Sequence, residues 1–164
     1  MKRCFWAESN ELMRRYHDEE WGVPCHDRNR LFEKLCLECF QAGLSWETIL
    51  KKREAFRRAF EGFDPHKVAH FHEHKVSQLM ADPSIVRNEL KIRASIRNAH
   101  ALLKMEEGEE YFPQFVWSYL DGKSLSKALK KRGFTFVGET ICRSFLESMG
   151  VIDGHDPDCD FRHR

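Results

Sequence analysis

Apolar residues recur along this chain mostly at spacings of three and four, the period of a helix with one buried face. Runs that alternate apolar and polar, as a half-buried strand would, are scarce. The breaks between helical stretches have recognisable chemistry. Ser9 and Asn10 are candidate caps for a helix over 11–20, stopping near Gly22 and Pro24. Asp27 caps a second helix over 28–42, ended by Gly43, and Ser45 caps a third that runs to about Phe60 and Gly62. Asp64-Pro65 and Asp82-Pro83 each place an N-cap before a proline, which predicts helices near 65–72 and 83–90. A longer helix follows to about 106, with Ile92, Ile96, Ala99 and Leu103 as one apolar stripe. An aromatic-rich helix is expected over 112–120, and Ser124 caps a helix to Arg132 with Gly133 just past its end. After a short turn over 134–138 the last helix spans 139–149, closed by Gly150. The pattern predicts an all-α fold, a compact helical assembly, with residues 1–164 as one domain and no repeat or linker to divide it.

Composition narrows the class without naming a function. The chain has 164 residues, 41% hydrophobic and 32% charged, which suits a globular protein and not a disordered one. A net charge of +1 means that any footprint for nucleic acid must be local. No apolar run is long enough to span a bilayer, and the N-terminus lacks the apolar stretch of a signal peptide. The reducing cytosol is therefore the expected compartment. Six cysteines there read as thiols, thiolates or metal ligands rather than disulfides, and nine histidines make a metal site worth seeking.

Three local features carry chemistry. The first is the stretch SLSKALKKRG-FTFVG-ETICRSFLESMG, two helices joined by a tight turn with Gly133 and Gly138 at its ends. Those glycines permit positive φ or a close approach to another molecule. Free amides at the start of the second helix, with Lys127, Lys130, Lys131 and Arg132 nearby, suit one DNA phosphate. A plain helix hairpin with a solvated lysine face fits the same spacing.

The second is a set of metal-ligand types at the two ends. Cys4 and His17 lie near the N-terminus, and His155 and Cys159 lie four apart near the other end. Two Cys and two His make a common tetrahedral zinc set, although Cys25 and His26 in a turn are also open as ligands. Cys36 and Cys39 share an apolar helix face with Phe32 and Phe40 and read as buried packing thiols, and Cys142 reads as core.

The third is Glu38, which falls on the helical wheel beside Leu31, Leu35 and Ala42, at the edge of the apolar face. A surface ion pair with Lys34 is one reading. The other is a pocket acid: Trp6, Tyr16, Trp21 and Trp46 could wall a slot in which Glu38 and Gln41 are the polar groups. Flat rings with one carboxylate suit a nucleobase.

At these residues the sequence resembles the 3-methyladenine DNA glycosylase I family of the helix-hairpin-helix glycosylase superfamily. The carrying segments run in order along nearly the whole chain: RCFW (3–6), YHDEEWGVP (16–24), LFEKLCLE (31–38), QAGLSWETILKKRE (41–54), FDPHKVA (63–69), LSKALKKRGFTFVGETIC (125–142) and HDPDC (155–159). The resemblance implies a repair enzyme that flips 3-methyladenine out of double-stranded DNA, cuts its N-glycosidic bond and releases the free base. It implies that Cys4, His17, His155 and Cys159 hold a structural zinc, that Glu38 is the base-recognising, catalytic carboxylate, and that Trp6, Tyr16, Trp21 and Trp46 are the pocket aromatics. Gln41, Gly43 and Leu44 would enter the duplex, while Gly133, Phe134, Val137, Gly138 and Thr140 would meet the phosphate backbone. Glu38 is expected to act ionised. Asp156, Asp158 and Asp160 read as tail residues rather than as the water-assisting aspartate that other members of the superfamily use. A monomer with no membrane partner is expected. Two departures stand out: the segment between Trp117 and Leu125 is short for the family, and the tail ends soon after Cys159. A non-catalytic, zinc-stabilised DNA-binding protein is the alternative; the pocket acid argues against it.

Overall fold

The computed structural model describes residues 1–162, and among them every regular element is a helix. The centre is α2 (Arg28–Gln41), started by the Asp27 carboxylate, which accepts from the Arg30 amide at 2.9 Å. It buries Leu31, Phe32, Leu35, Cys36, Cys39 and Phe40, and packs against α9 (Glu139–Met149), α3 (Trp46–Ala59) and α6 (Glu89–Glu107). Aromatic rings fill the middle: Phe40 lies 4.8 Å from Phe56, and Phe60 stacks on Phe63 at 5.2 Å. Fully burying a phenylalanine of this kind stabilises the fold by roughly 1.5–3 kcal/mol. Cys36 and Cys39 sit in this core as packed thiols, raised by burial, and Cys142 joins them, as the sequence suggests.

Around this centre lie α1 (Glu11–Glu19), α4 (Pro65–Val68), α5 (Glu73–Met80), α7 (Phe112–Trp117) and α8 (Gly122–Lys131), with 3-10 turns at Phe5–Glu8 and Glu61–Phe63. α8 crosses α9 so closely that a Cβ at Gly122 would lie 2.6 Å from the Glu139 carbonyl oxygen, so only glycine fits there.

Four expectations need correction. The helix over 73–80 has no counterpart in the expected pattern: its buried side is only Val76 and Leu79, too few to mark a stripe. Asp82-Pro83 opens no helix, because the Asp82 carboxylate folds back onto the Ser84 amide at 2.9 Å and closes a turn that drops Ile85 into the core. The aromatic helix ends at Trp117. The helix after it is capped by Asp121, whose carboxylate accepts from the Ser124 amide at 2.7 Å, rather than by Ser124 itself.

Candidate active site

Glu38 projects from α2 away from the phenylalanine core and toward a second, smaller apolar group made by Met13, Tyr16 and Leu50 with Trp6, Trp21 and Trp46. Between them lies a cavity of about 330 Å³, lined by Trp6, Met13, Tyr16, Trp21, Glu38, Trp46, Ser144 and Glu147. Each wall comes from a different element: Trp6 from the first 3-10 turn, Met13 and Tyr16 from α1, Trp46 from the start of α3, and Ser144 and Glu147 from α9. The Asn10 side chain starts α1 by accepting from the Met13 amide, and Ser45 starts α3 by accepting from the Thr48 amide. The rings form a nest: Tyr16 stacks on Trp46 at 5.8 Å and 20°, and Trp21 meets Trp6 edge-on at 5.1 Å. All four aromatics singled out in the sequence line this one space.

The acid in it is unusual. Glu38 is 2% exposed, and among the described residues no hydrogen bond reaches its carboxylate. Burial pushes its pKa up to about 8; Lys34 pulls the other way, and Glu147 adds to the rise. Burial therefore favours the protonated form of Glu38 at neutral pH while the slot holds no cation: a buried carboxylate with no donor keeps its proton. Burial also keeps the Tyr16 hydroxyl protonated far above its ordinary range. A slot of flat rings with one unpaired acid is built for a planar ligand that carries positive charge and N–H donors.

Beside the slot the two ends of the chain meet. Ligand atoms of Cys4, His17 and Cys159 lie within 4.8 Å of one another, all three residues buried. His155 is buried next to them, its ring 5.4 Å from that of His17. Its Nε2 is buried and has no hydrogen-bond partner among the described residues. Both rings are aimed by carboxylates: His17 Nδ1 to Asp18 at 2.8 Å, and His155 Nδ1 to Asp153 at 2.8 Å. The Asp156 amide donates to Cys4 Sγ at 3.2 Å and the Phe161 amide to Cys159 Sγ at 3.4 Å. Two thiols held by amides and two imidazoles with outward carboxylates fit a tetrahedral zinc ion. Trp6 and Trp21 rest against His17 at 5.2 and 6.0 Å, and Trp21 lies 4.8 Å from His155, so the cluster and the slot share walls. Gly22, at φ +77, keeps this contact open, since a Cβ there would come within 3.1 Å of His155. Asp156 and Asp160 tie the ends as tail residues, accepting from the Phe5 amide at 2.9 Å and the Lys2 amide at 2.6 Å; Asp158 pairs with the Lys2 side chain. Cys25 and His26 stand apart from the cluster; His26 stacks on Trp117 at 4.4 Å.

Gln41, Gly43 and Leu44 form the exposed turn that leaves α2. The Gln41 side chain donates to the Leu44 carbonyl at 2.7 Å, Gly43 is at φ +84, and Leu44 is 38% exposed. Lys91 braces this turn from beneath, donating from Nζ to the Phe40 and Ala42 carbonyls at 3.1 and 2.7 Å. The hairpin turn is fixed by Asn98, which exchanges hydrogen bonds with the Thr135 backbone at 2.8 and 2.9 Å, and by the Ser126 hydroxyl donating to the Val137 carbonyl at 2.6 Å. Phe134 and Val137 are buried, so only their backbones can face a partner; Phe136 is the exposed ring. Gly133 and Phe136 take the positive φ in this turn, at 91° and 56°, and Gly138 does not. Open space lies where a Gly138 Cβ would stand, and the α9 N-terminus it begins has no side-chain cap, with Thr140 exposed in its first turn. Sequence reasoning missed Met13, Ser144, Glu147, Lys91 and Asn98, whose roles depend on which helices meet.

The sequence profile described as methyladenine glycosylase matches residues 6–125 and 121–163. The chain belongs to the methyladenine glycosylase family. The two matched segments of this family meet at 121–125, within the stretch that is short in the sequence. DNA-3-methyladenine glycosylase 1 of Escherichia coli K12 is 46% identical over 179 aligned positions, which span 97% of this chain and 96% of the relative. A crystal structure of 3-methyladenine DNA glycosylase I superposes with a TM-score of 0.94 at 43% identity, over 98% of this chain and all of the other. The Staphylococcus aureus 3-methyladenine DNA glycosylase I, solved to explain its recognition of 3-methyladenine, superposes with a TM-score of 0.93 at 36% identity, over 100% of this chain and 98% of the other.

Proposed function

We propose that this methyladenine glycosylase is a DNA repair enzyme that hydrolyses the N-glycosidic bond of 3-methyladenine in duplex DNA, acting as one domain and as a monomer. The observation that carries the reading is the unpaired, buried Glu38 inside a nest of four aromatic rings, in a chain whose relatives are named for this base. Methylation at N3 makes the adenine cationic while it is still joined to the sugar. Its departure as a neutral base needs less acid assistance than that of an undamaged one. The nucleotide must leave the stack, at a cost of a few kcal/mol. Trp6, Tyr16, Trp21 and Trp46 then hold the base by stacking and cation–π attraction. Glu38 releases its proton to solvent as the cation enters, and the carboxylate accepts from the base. The C1′–N bond breaks through an oxocarbenium-like sugar, which water captures at C1′ with loss of a proton.

On this reading the turn at Gln41, Gly43 and Leu44 fills the gap left in the duplex. Gly133, Phe134, Val137, Gly138 and Thr140 meet the phosphate backbone in the manner of a helix-hairpin-helix grip, with the amides of Val137, Gly138 and Thr140 as donors, since those of Gly133 and Phe134 already donate to the Lys130 and Leu129 carbonyls. The Cys4, His17, His155 and Cys159 set holds a structural zinc, which joins the ends of the chain and keeps Trp6 and Trp21 in place. Among the described residues no helix is long and apolar enough to cross a membrane.

The deciding experiment measures free base released from methylated duplex DNA, with Glu38→Ala as control. Release of 3-methyladenine by the unaltered protein, reduced tenfold or more in the variant, is expected; that factor is about 1.4 kcal/mol of lost transition-state stabilisation. Duplex binding without base release would leave only a DNA-binding role.

A further inference from the structure

We propose that Lys34, acting from a second cavity behind the base slot, is the positioning residue whose charge lets Glu38 ionise when a cationic base enters. The inference rests on the role given to Glu38 above. The second cavity, of about 320 Å³, shares Tyr16, Glu38 and Trp46 with the slot, so the acid stands in the partition between two spaces. Lys34 lies one helical turn before Glu38 on α2 and lines the rear space together with Cys25. Two other cations lining it are already committed. Arg53 pairs with Glu20 at 2.8 and 3.1 Å, and Arg57 pairs with Glu33 at 2.8 and 2.9 Å. Arg30 lies out in solvent. Lys34 is half-buried, and no hydrogen bond or ion pair to a described residue holds its ammonium.

An uncommitted ammonium so placed does what a slot that must stay apolar cannot do for itself. It supplies positive charge on the far side of the carboxylate from the incoming base. The charged groups acting on Glu38 are Lys34 on its own helix and Glu147 on α9, of which the first favours its ionised form and the second opposes it. Tyr16 faces it from α1, while Glu20, Cys25 and Arg53 line the rear space and bear on Lys34. Burial lowers the pKa of Lys34, as expected for a charge held in a cavity for want of a paired carboxylate. The rear cavity also gives the Glu38 proton a way out that the bound base does not block.

The test is single-turnover excision of 3-methyladenine from duplex DNA between pH 5.5 and 9.5, for the unaltered protein, Glu38→Gln, Lys34→Met and Lys34→Arg. The unaltered protein should rise in activity with pH through a midpoint that Glu38→Gln abolishes. Lys34→Met should move that midpoint upward by about one pH unit, with a loss of about tenfold at neutral pH that disappears in alkali. Lys34→Arg should restore the original midpoint. Recovery in alkali shows that Lys34→Met is folded. A Lys34→Met profile lowered equally at every pH, or one with an unmoved midpoint, overturns the proposal. Survival of the midpoint in Glu38→Gln would instead remove the role given to Glu38, and this proposal with it.

Discussion

Replacing Glu38 with glutamine takes away a titrating group but keeps the shape of the side chain, and it should change how stability depends on pH. In the folded protein Glu38 holds its proton up to about pH 8, against 4.5 for an ordinary glutamate. Unfolding between those values releases a proton, so stability falls as pH rises. The contribution is fully present below 4.5, is lost progressively up to about 8, and is constant beyond. The whole difference corresponds to about 5 kcal/mol, of which about 3 kcal/mol falls between pH 6 and pH 9. These are ceilings, because water entering the cavity softens the cost of the charge. The amide that replaces the carboxyl does not titrate, so Glu38→Gln should gain on the unaltered protein by up to that amount across this interval. Urea unfolding of both proteins at matched pH values measures it, and other titrating groups cancel in the difference. Two stability curves that stay parallel from pH 6 to pH 9 would show that Glu38 ionises like a surface acid, and the account of the slot would fail.

Trp46→Ala removes the ring stacked on Tyr16 and should cost about 1–3 kcal/mol of base binding, read as a lower kcat/KM for 3-methyladenine release; an unchanged value would place the base elsewhere. Lys91→Met leaves the Phe40 and Ala42 carbonyls without their charged donor and should cost about 1.5–3 kcal/mol in urea unfolding, with weaker duplex binding from the loosened 41–44 turn. Cys159→Ser should lower bound zinc below about half an equivalent and lower Tm, measured by metal analysis and calorimetry on protein never exposed to chelator; full zinc content in the variant would dismiss the four-residue set.

How much of this is legible in the sequence depends on whether a signal is local. Caps such as Asp27 and Ser45 act within three residues, and both start the helices expected of them. Asp82 misleads because an aspartate before proline can cap a helix or close a turn, and only the buried Ile85 beyond it decides. Glu38 can be placed at the edge of an apolar face, yet its protonated state is not legible. That state depends first on burial by helices far apart in sequence, with a smaller push from Glu147, and on a carboxylate left without donors. Met13 and Ser144 carry no mark as pocket residues until α1 and α9 are seen to face the same space. The sequence marks the 134–138 turn but not which of its side chains turn inward: Phe134 and Val137 are core in the fold and Phe136 is exposed.

The nest of rings also gives this protein an optical signature. Three of its four tryptophans, Trp6, Trp21 and Trp46, border a single cavity, and two of these also touch the histidines where the chain ends meet. Most of the intrinsic emission therefore originates within a few ångströms of both places. A purine sliding between the indoles should dim the fluorescence, and loosening of the histidines should shift its colour. One unlabelled sample can thus follow occupancy of the slot and integrity of its frame along two separable axes of the same spectrum.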